Sequence, residues 1–130
     1  MSVPGEHEFE LDSSRDLYIG KIVGLRADEV VMPDGRTATR EVVEHHGAVA
    51  IAALDAQHRL TLVHQYRHAV GERLWELPAG LLDQEGERAV DAAARELVEE
   101  AGIAAYRWDT LVDVATSPGF TDEVVRVLRA

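Results

Sequence analysis

The most informative segment of the sequence reads Gly80-Leu-Leu-Asp-Gln-Glu-Gly-Glu-Arg-Ala-Val-Asp-Ala-Ala-Ala-Arg-Glu-Leu-Val-Glu-Glu-Ala-Gly-Ile103. Its second part has apolar residues at helical spacing, on a stripe made of Val90, Ala93 or Ala94, Leu97 and Ala101. Gly102 follows, and a glycine in the left-handed backbone conformation ends many helices. The stretch therefore predicts a loop over Gly80–Gly86 and a helix over Glu87–Ala101.

The last two turns of this predicted helix are acidic, because they carry Glu96, Glu99 and Glu100. The helix dipole is negative at that end, and Glu96 and Glu100 are like charges one turn apart. The arrangement costs on the order of 1–3 kcal/mol. A divalent cation would offset this cost, and Mg²⁺ favours carboxylates together with water and substrate phosphates. The alternative is a solvated acidic face with Arg95 as a local ion-pair partner.

The same residues resemble the Nudix box. The family pattern is Gly, five residues, Glu, seven residues, Arg-Glu, an aliphatic, any residue, Glu-Glu, any residue, Gly and an aliphatic. From Glu87 to Ile103 the match is complete, whereas the segment from Gly80 to Glu87 is one residue longer than the pattern, which we interpret as a loop insertion. The flanking segments Gln65–Arg67, Leu74–Gly80 and Ser117–Phe120 are similar to the ADP-ribose pyrophosphatase branch of this family.

The resemblance implies roles for the residues of the helix. The implied metal ligands are the carbonyl of Ala79 and the carboxylates of Glu96, Glu99 and Glu100. Glu99 is alternatively a base near the metals. Arg95, the fourth member of the implied catalytic group, would orient the glutamates together with Glu87. The general base of this branch often lies on a loop after the box, which would fall beyond Ala130.

The resemblance also implies substrate contacts. Arg40 and Arg67 match positions that hold the diphosphate or the base, and Glu76 matches a residue near the substrate. Gly80, Glu87, Gly102 and Pro118 are expected to shape the site. Ordinary ion pairs on strand surfaces remain the alternative for both arginines and Glu76. Trp75 and Trp108 could stack on adenine, but we assign both to the core, where aromatic residues of strands are more often found.

The rest of the chain reads mainly as β-structure. Alternation over Leu17–Val31 and Thr37–Val43, separated by the turn residues Pro33-Asp34-Gly35, predicts an N-terminal antiparallel β unit over residues 1–44. Residues 45–130 are the expected catalytic domain, an α+β fold of the α/β/α sandwich type around a mixed sheet. Its predicted strands are Ala48–Leu54, which is central, Leu60–Tyr66, joined to it by a tight loop, Leu74–Leu77, Trp108–Ala115 and Glu123–Ala130. Because the last of these has no later partner, the domain is expected to be incomplete at its C-terminus.

Composition restricts the partners. The chain has 24 acidic against 13 basic residues and a net charge of −11, which disfavours a nucleic-acid polymer or an anionic membrane as partner. A small anionic substrate would need a locally cationic site, which metal ions supply. No cysteine is present, so thiolate chemistry is excluded. The absence of a signal-like or membrane-spanning apolar segment leads us to expect a cytoplasmic protein.

The sequence thus predicts hydrolysis of the pyrophosphate of ADP-ribose to AMP and ribose 5-phosphate, with Mg²⁺ or alternatively Mn²⁺. One alternative is a Nudix hydrolase of another nucleotide sugar or of a damaged nucleotide. Others are a non-catalytic module that binds a nucleotide metabolite as a regulatory signal, and a purely structural acidic domain. The resemblance also implies a homodimer in which the N-terminal β unit exchanges with, or packs on, the partner.

Overall fold

A computed structural model describes residues 7–130 of the chain. They divide into two units. The first contains the residues up to His46 and the later segment Ala115–Val124, and the second contains Gly47–Val114 and Val125–Ala130. The first unit thus includes a segment from well beyond residue 44, where the sequence placed the boundary.

The first unit is a three-stranded antiparallel sheet in the order β1-β2-β3. Its strands are β1 (Leu11–Ile19), β2 (Val23–Val31) and β3 (Thr37–His45). The predicted turn joins β2 to β3, with Gly35 at φ 84°. The prediction missed the first part of β1, since alternation was recognised only from Leu17. All nine residues of β1 are exposed, so no buried face imposes alternation on them.

The second unit contains a mixed four-stranded sheet, a two-stranded hairpin and one helix. Its elements are β4 (Ala48–Ala52), β5 (Val63–Arg67), β6 (Glu72–Glu76), β7 (Ala79–Leu81), α1 (Ala89–Ala101), β8 (Asp109–Ala115) and β9 (Val124–Arg129). The sheet order is β7-β4-β9-β8, with β4 antiparallel to β7 and parallel to β9. The predicted mixed sheet and the central place of β4 are confirmed. Within residues 7–130 the helical layer consists of α1 alone.

The core of this unit lies between α1 and the sheet. It consists of Val49, Ile51 and Ala53 from β4 and its end, Ala92, Ala93 and Leu97 from α1, and Leu128 from β9. The helix thus buries the predicted face, although it begins two residues late because Arg88 is extended and serves as its N-cap. No helix in the described part of the chain is long and apolar enough to cross a membrane.

The tight loop expected between the strand Ala48–Leu54 and the next strand is confirmed. The N–H of Asp55 donates to the carbonyl of Arg59 at 3.1 Å, and Leu54 and Leu60 form an antiparallel bridge. The strand expected over Leu60–Tyr66 begins later, at Val63, and pairs as β5 with β6 across a tight turn that ends at Gly71, φ 70°. Gly80 and Leu81, expected in the loop over Gly80–Gly86, instead belong with Ala79 to β7, because their backbone pairs with β4.

The inference that the last strand leaves its backbone unpaired was wrong. β9 pairs in parallel with β4, from Ala48 opposite Val125 to Ala52 opposite Arg129, and lies between β4 and β8. Its partners precede it in the chain, and pairing between parallel strands is not local. The unpaired backbone inferred from the sequence is therefore not present on β9.

A buried carboxylate stabilises the first unit. Asp28 on β2 is 5% exposed and is the buried charged residue of the described part of the chain. It accepts hydrogen bonds from the hydroxyl of Ser14 (2.6 Å) and from Nε of Arg26 (3.1 Å). Arg26 also contacts Glu44 at 3.3 Å. The Ser14 bond, followed by the Arg26 contact, lowers the pKa of Asp28 in spite of its burial.

Asp28→Asn is expected to lower the free energy of unfolding by about 1–3 kcal/mol at neutral pH, because it weakens two hydrogen bonds to a buried charge. The lowered pKa gives the sign of the pH dependence. The stabilisation is present above the ordinary value near 3.8 and is lost as the pH falls through the folded-state pKa. In urea titrations, the difference between wild type and variant should therefore shrink as the pH falls below 3.8. Asp16→Asn, on exposed β1, is the control and should change stability by less than about 0.5 kcal/mol. A difference independent of pH would contradict this account of Asp28.

Candidate active site

The C-terminal end of α1 concentrates negative charge. Arg95, Glu96, Glu99 and Glu100 lie in its last two turns, and its last turn contains no basic residue. Gly102, at φ 66°, ends the helix, and its N–H bonds back to the carbonyl of Val98 at 2.9 Å. The carboxylates therefore lie at the negative pole of the helix dipole, and Arg95 is the cation within the group.

Arg95 contacts three carboxylates. Its Nη2 and Nε bond Glu87 at 3.0 and 3.3 Å, and its Nη1 bonds Glu96 at 3.1 Å and approaches Glu99 at 3.6 Å. The hydrogen bonds to Glu87, more than any other contact, raise the pKa of Arg95. The guanidinium of Arg95 thus connects Glu87, before the helix, with Glu96 and Glu99 within it. This is the arrangement expected for Arg95 and Glu87.

Glu96 is enclosed by strand β7. Its side chain is 15% exposed. Burial raises its pKa above the ordinary value near 4.5; Arg95 opposes this shift, and Glu99 and Glu100 add to it. Gly80 on β7 lies directly against the carboxyl group of Glu96, so a Cβ at position 80 would overlap it. The missing side chain of Gly80 is what leaves room for Glu96.

Glu100 contacts the same strand through its backbone. The N–H of Ala79 donates a hydrogen bond to Oε2 of Glu100 at 3.1 Å. Ala79, whose carbonyl is a predicted metal ligand, and Glu100, whose carboxylate is another, are therefore neighbours. Ala79 and Gly80 together place β7 beside the glutamates of two successive helical turns.

Arg67 and Glu76 form a bidentate ion pair on the β5–β6 hairpin. Nε and Nη2 of Arg67 bond the two carboxylate oxygens of Glu76, each at 2.8 Å. The pair lowers the pKa of Glu76 and raises that of Arg67, and the charge of Glu100 adds to the effect on Arg67. This guanidinium is thus also under the influence of the acidic helix end.

Arg40 and Pro118 belong to the first unit. Both line a cavity of about 690 Å³, together with Phe9, Arg26, Asp28 and Phe120. Within residues 7–130 Arg40 makes no ion pair, so its charge is available to a ligand. Sequence reasoning missed Arg26 and Asp28. The two residues are two positions apart on one strand, so both lie on the same face. This spacing is the sequence signal by which they could have been identified.

The two tryptophans differ. Trp108 packs against the core, as expected. Trp75 does not: the residue is 68% exposed and its ring stacks on His64, with ring centroids 4.3 Å apart. The assignment of Trp75 to the core was wrong, because the β5–β6 hairpin forms a separate two-stranded sheet that leaves this residue uncovered.

The glutamates supply the oxygen donors of a metal site, but their carboxyl groups do not meet at one point in this structure. Among the described residues, no three His, Cys, Asp or Glu side chains come together closely enough to hold a metal ion. Glu96 is drawn to Arg95, and Glu100 to the N–H of Ala79. The donors are all hard oxygen atoms, and the space that Gly80 leaves open is occupied by the carboxyl group of Glu96. This donor set suits Mg²⁺ or Mn²⁺.

Two family models match the chain. Residues 44–129 match the NUDIX domain, and residues 9–43 match the nucleoside diphosphate sugar hydrolase N-terminal domain. A crystal structure described as an ADP compounds hydrolase superposes with a TM-score of 0.82 at 20% identity, covering 95% of this chain and 67% of that one. At this identity the likeness shows the fold alone.

Several curated proteins are related in sequence. The chain is 58% identical to "ADP-ribose pyrophosphatase" of Mycobacterium tuberculosis, over 96% of this chain and 60% of that protein. It is 39% identical to "Methanol dehydrogenase activator" of Bacillus methanolicus, over 88% and 61% of the two chains, and 36% identical to "ADP-ribose pyrophosphatase" of Bacillus subtilis, over 91% and 63%. It thus spans less than two thirds of the length of these relatives. Since the NUDIX domain matches more than half of the chain, the chain belongs to the Nudix family.

Proposed function

We propose that the protein hydrolyses the pyrophosphate bond of ADP-ribose, giving AMP and ribose 5-phosphate, with the help of Mg²⁺. The observation that carries the proposal is the helix end itself. Glu96, Glu99 and Glu100 lie at the negative pole of the helix, Arg95 contacts the first two of them, and strand β7 leaves room for Glu96 at Gly80. A structural helix gains nothing from such a cluster, whereas a site for a divalent cation requires it.

Glu96, Glu99, Glu100 and the carbonyl of Ala79 would hold the metal. When bound, Mg²⁺ neutralises charge on the pyrophosphate and lowers the pKa of a bound water. Arg95 and Glu87 orient the carboxylates and limit their mutual repulsion. The side chain of Glu99 is 57% exposed and therefore open to a water molecule, in keeping with a role as ligand or base.

Arg67 would contact the diphosphate. Its guanidinium is already oriented by Glu76 and is 46% exposed, so it retains donors for a phosphate oxygen. Glu76 acts here by holding Arg67. We propose that Arg40 contacts the diphosphate or the base, supported by its lack of an ion pair and its place with Pro118 on a cavity wall.

The names of two relatives, both ADP-ribose pyrophosphatases, support this substrate. The match of residues 9–43 to the N-terminal domain of nucleoside diphosphate sugar hydrolases favours a second candidate, hydrolysis of another nucleoside diphosphate sugar. Both candidate reactions use the same metal and break the same kind of bond, a pyrophosphate. Their substrates differ in the group beyond the second phosphate.

We also propose that the protein is a homodimer that uses its N-terminal unit. The exposed strand β1 supports this, because Leu11, Leu17, Tyr18 and Ile19 are between 48% and 77% exposed on it. Exposed apolar residues concentrated on an edge strand are typical of association surfaces. The cytoplasmic location stays a prediction from the sequence.

The substrate is tested by product analysis with Mg²⁺, using ADP-ribose and a panel of other nucleoside diphosphate sugars. Wild type should release AMP, fastest from ADP-ribose, and Glu100→Gln should lower kcat/KM by about 100-fold or more, since it removes a proposed metal ligand. Glu85→Gln, an exposed glutamate of the preceding loop, is the matched control and should retain activity. Faster turnover of another sugar would favour the second candidate, and equal activity of Glu100→Gln and wild type would refute the proposed site.

Gly80→Ala tests the close approach of β7 to the helix. The added methyl group would displace the carboxyl group of Glu96, so metal affinity should fall by about 10–100-fold. Stability should change little, because the displaced group is the end of a flexible side chain. Gly24→Ala on β2 is the control, since a Cβ there meets atoms no nearer than 3.6 Å. Calorimetric titration with Mn²⁺ measures the effect; wild-type affinity in Gly80→Ala would show that the position of Glu96 is immaterial.

A further inference from the structure

The pairing of β7 with β4 determines which backbone groups face the glutamates. The register places Ala50 opposite Ala79 and Val49 opposite Gly80. Hydrogen bonds lie at either end of the pairing: the N–H of Ile51 donates to the carbonyl of Pro78 at 2.8 Å, and the N–H of Leu82 donates to the carbonyl of Gly47 at 3.0 Å. Position 78 is therefore a hydrogen-bonding position of the ladder.

Antiparallel ladders alternate between hydrogen-bonded and non-hydrogen-bonded pairs. Since Pro78 occupies a hydrogen-bonded pair, Ala79 falls in a non-hydrogen-bonded one. Its N–H and its carbonyl consequently point away from β4, towards the open side of this edge strand. The hydrogen bond from the N–H of Ala79 to Glu100 agrees with this direction. A shift of one residue would turn both groups of Ala79 towards β4.

Pro78 holds this register in two ways. Its side chain is fully buried, so a shift of one residue would move the ring to the other face of the strand. It also has no N–H, so its pair with Ile51 makes one bond where other residues make two, and the ladder is interrupted there. Proline is thus suited to begin a short strand at a fixed position.

We propose that Pro78 is a positioning residue for the metal site: it fixes the register of β7 so that the carbonyl of Ala79 faces the same side as Glu96 and Glu100. This inference rests on the proposed function. Pro78 itself touches neither metal nor substrate. Its effect is transmitted through Ala79 and Gly80, the two residues that contact the helical glutamates.

Pro78→Val tests the proposal, because valine retains an apolar side chain suited to strands and restores the N–H. We expect the Kd for Mn²⁺, measured without substrate from the electron paramagnetic resonance of free Mn²⁺, to rise by about 10-fold or more. The matched control is Pro33→Val, in the exposed turn after β2, which should bind Mn²⁺ as wild type does. In hydrogen exchange, the amide of Ala79 should lose protection in Pro78→Val and keep it in Pro33→Val.

Wild-type affinity for Mn²⁺ in the folded fraction of Pro78→Val would overturn the proposal, whatever the loss of stability. If the variant does not fold, wild type labelled with ¹³C is titrated with Mg²⁺. The carbonyl resonance of Ala79 should then shift more than those of Pro78 and Gly80, and a larger shift at either neighbour would overturn the register argument. Failure of wild type to bind Mn²⁺ at all would instead refute the proposed function and, with it, this inference.

Discussion

The ion pairs of Arg95 oppose the electrostatic repulsion at the C-terminal end of α1. One guanidinium bonds Glu87 before the helix and Glu96 within it, and approaches Glu99. Without it, three carboxylates at the negative end of a helix would repel one another and the helix dipole. Arg95 reduces this repulsion but does not remove it, since the pKa of Glu96 stays raised by burial and by its acidic neighbours. The fold therefore preserves a local excess of negative charge.

The sheet is arranged to use that charge. Burial of Leu97 against Val49 and Ile51 holds the helix on β4, and β4 in turn pairs with β7. The edge position of β7 leaves one side of its backbone free of sheet bonds, and this side faces the glutamates. One face of α1 thus packs on the sheet through apolar residues, and another contacts β7, a strand of three residues, through its glutamates.

The sequence predicted the helix and its acidic end because both depend on local spacing. The stop at Gly102, the buried face around Leu97 and the juxtaposition of Arg95 and Glu87 follow from periodicity and from the resemblance. It also identified β4 as central, because a strand that is apolar on both faces must be covered. The site residues were found by their pattern, and their catalytic roles remain proposals.

What could not be predicted depends on contacts distant in sequence. The pairing of β9 could not be predicted, because its partner β4 lies far upstream in the chain. The predicted loop from Gly80 includes two of the three residues of β7, because so short a strand carries too little pattern. Trp75 was assigned to the core by its type, although the hairpin around it leaves it exposed. The hydrogen bond between Asp28 and Ser14 likewise depends on strand register, which alternation alone does not determine.

The free energy of unfolding of wild type and Glu96→Gln, with and without Mg²⁺, tests the claim that the acidic end of α1 holds a divalent cation. Without metal, Glu96→Gln should be at least as stable as wild type at neutral pH, because the raised pKa of Glu96 means that its ionisation opposes folding. At a Mg²⁺ concentration about 100 times Kd, wild type should gain about 2.7 kcal/mol and the variant much less. A variant less stable than wild type without metal, together with no effect of Mg²⁺ on either protein, would contradict the claim.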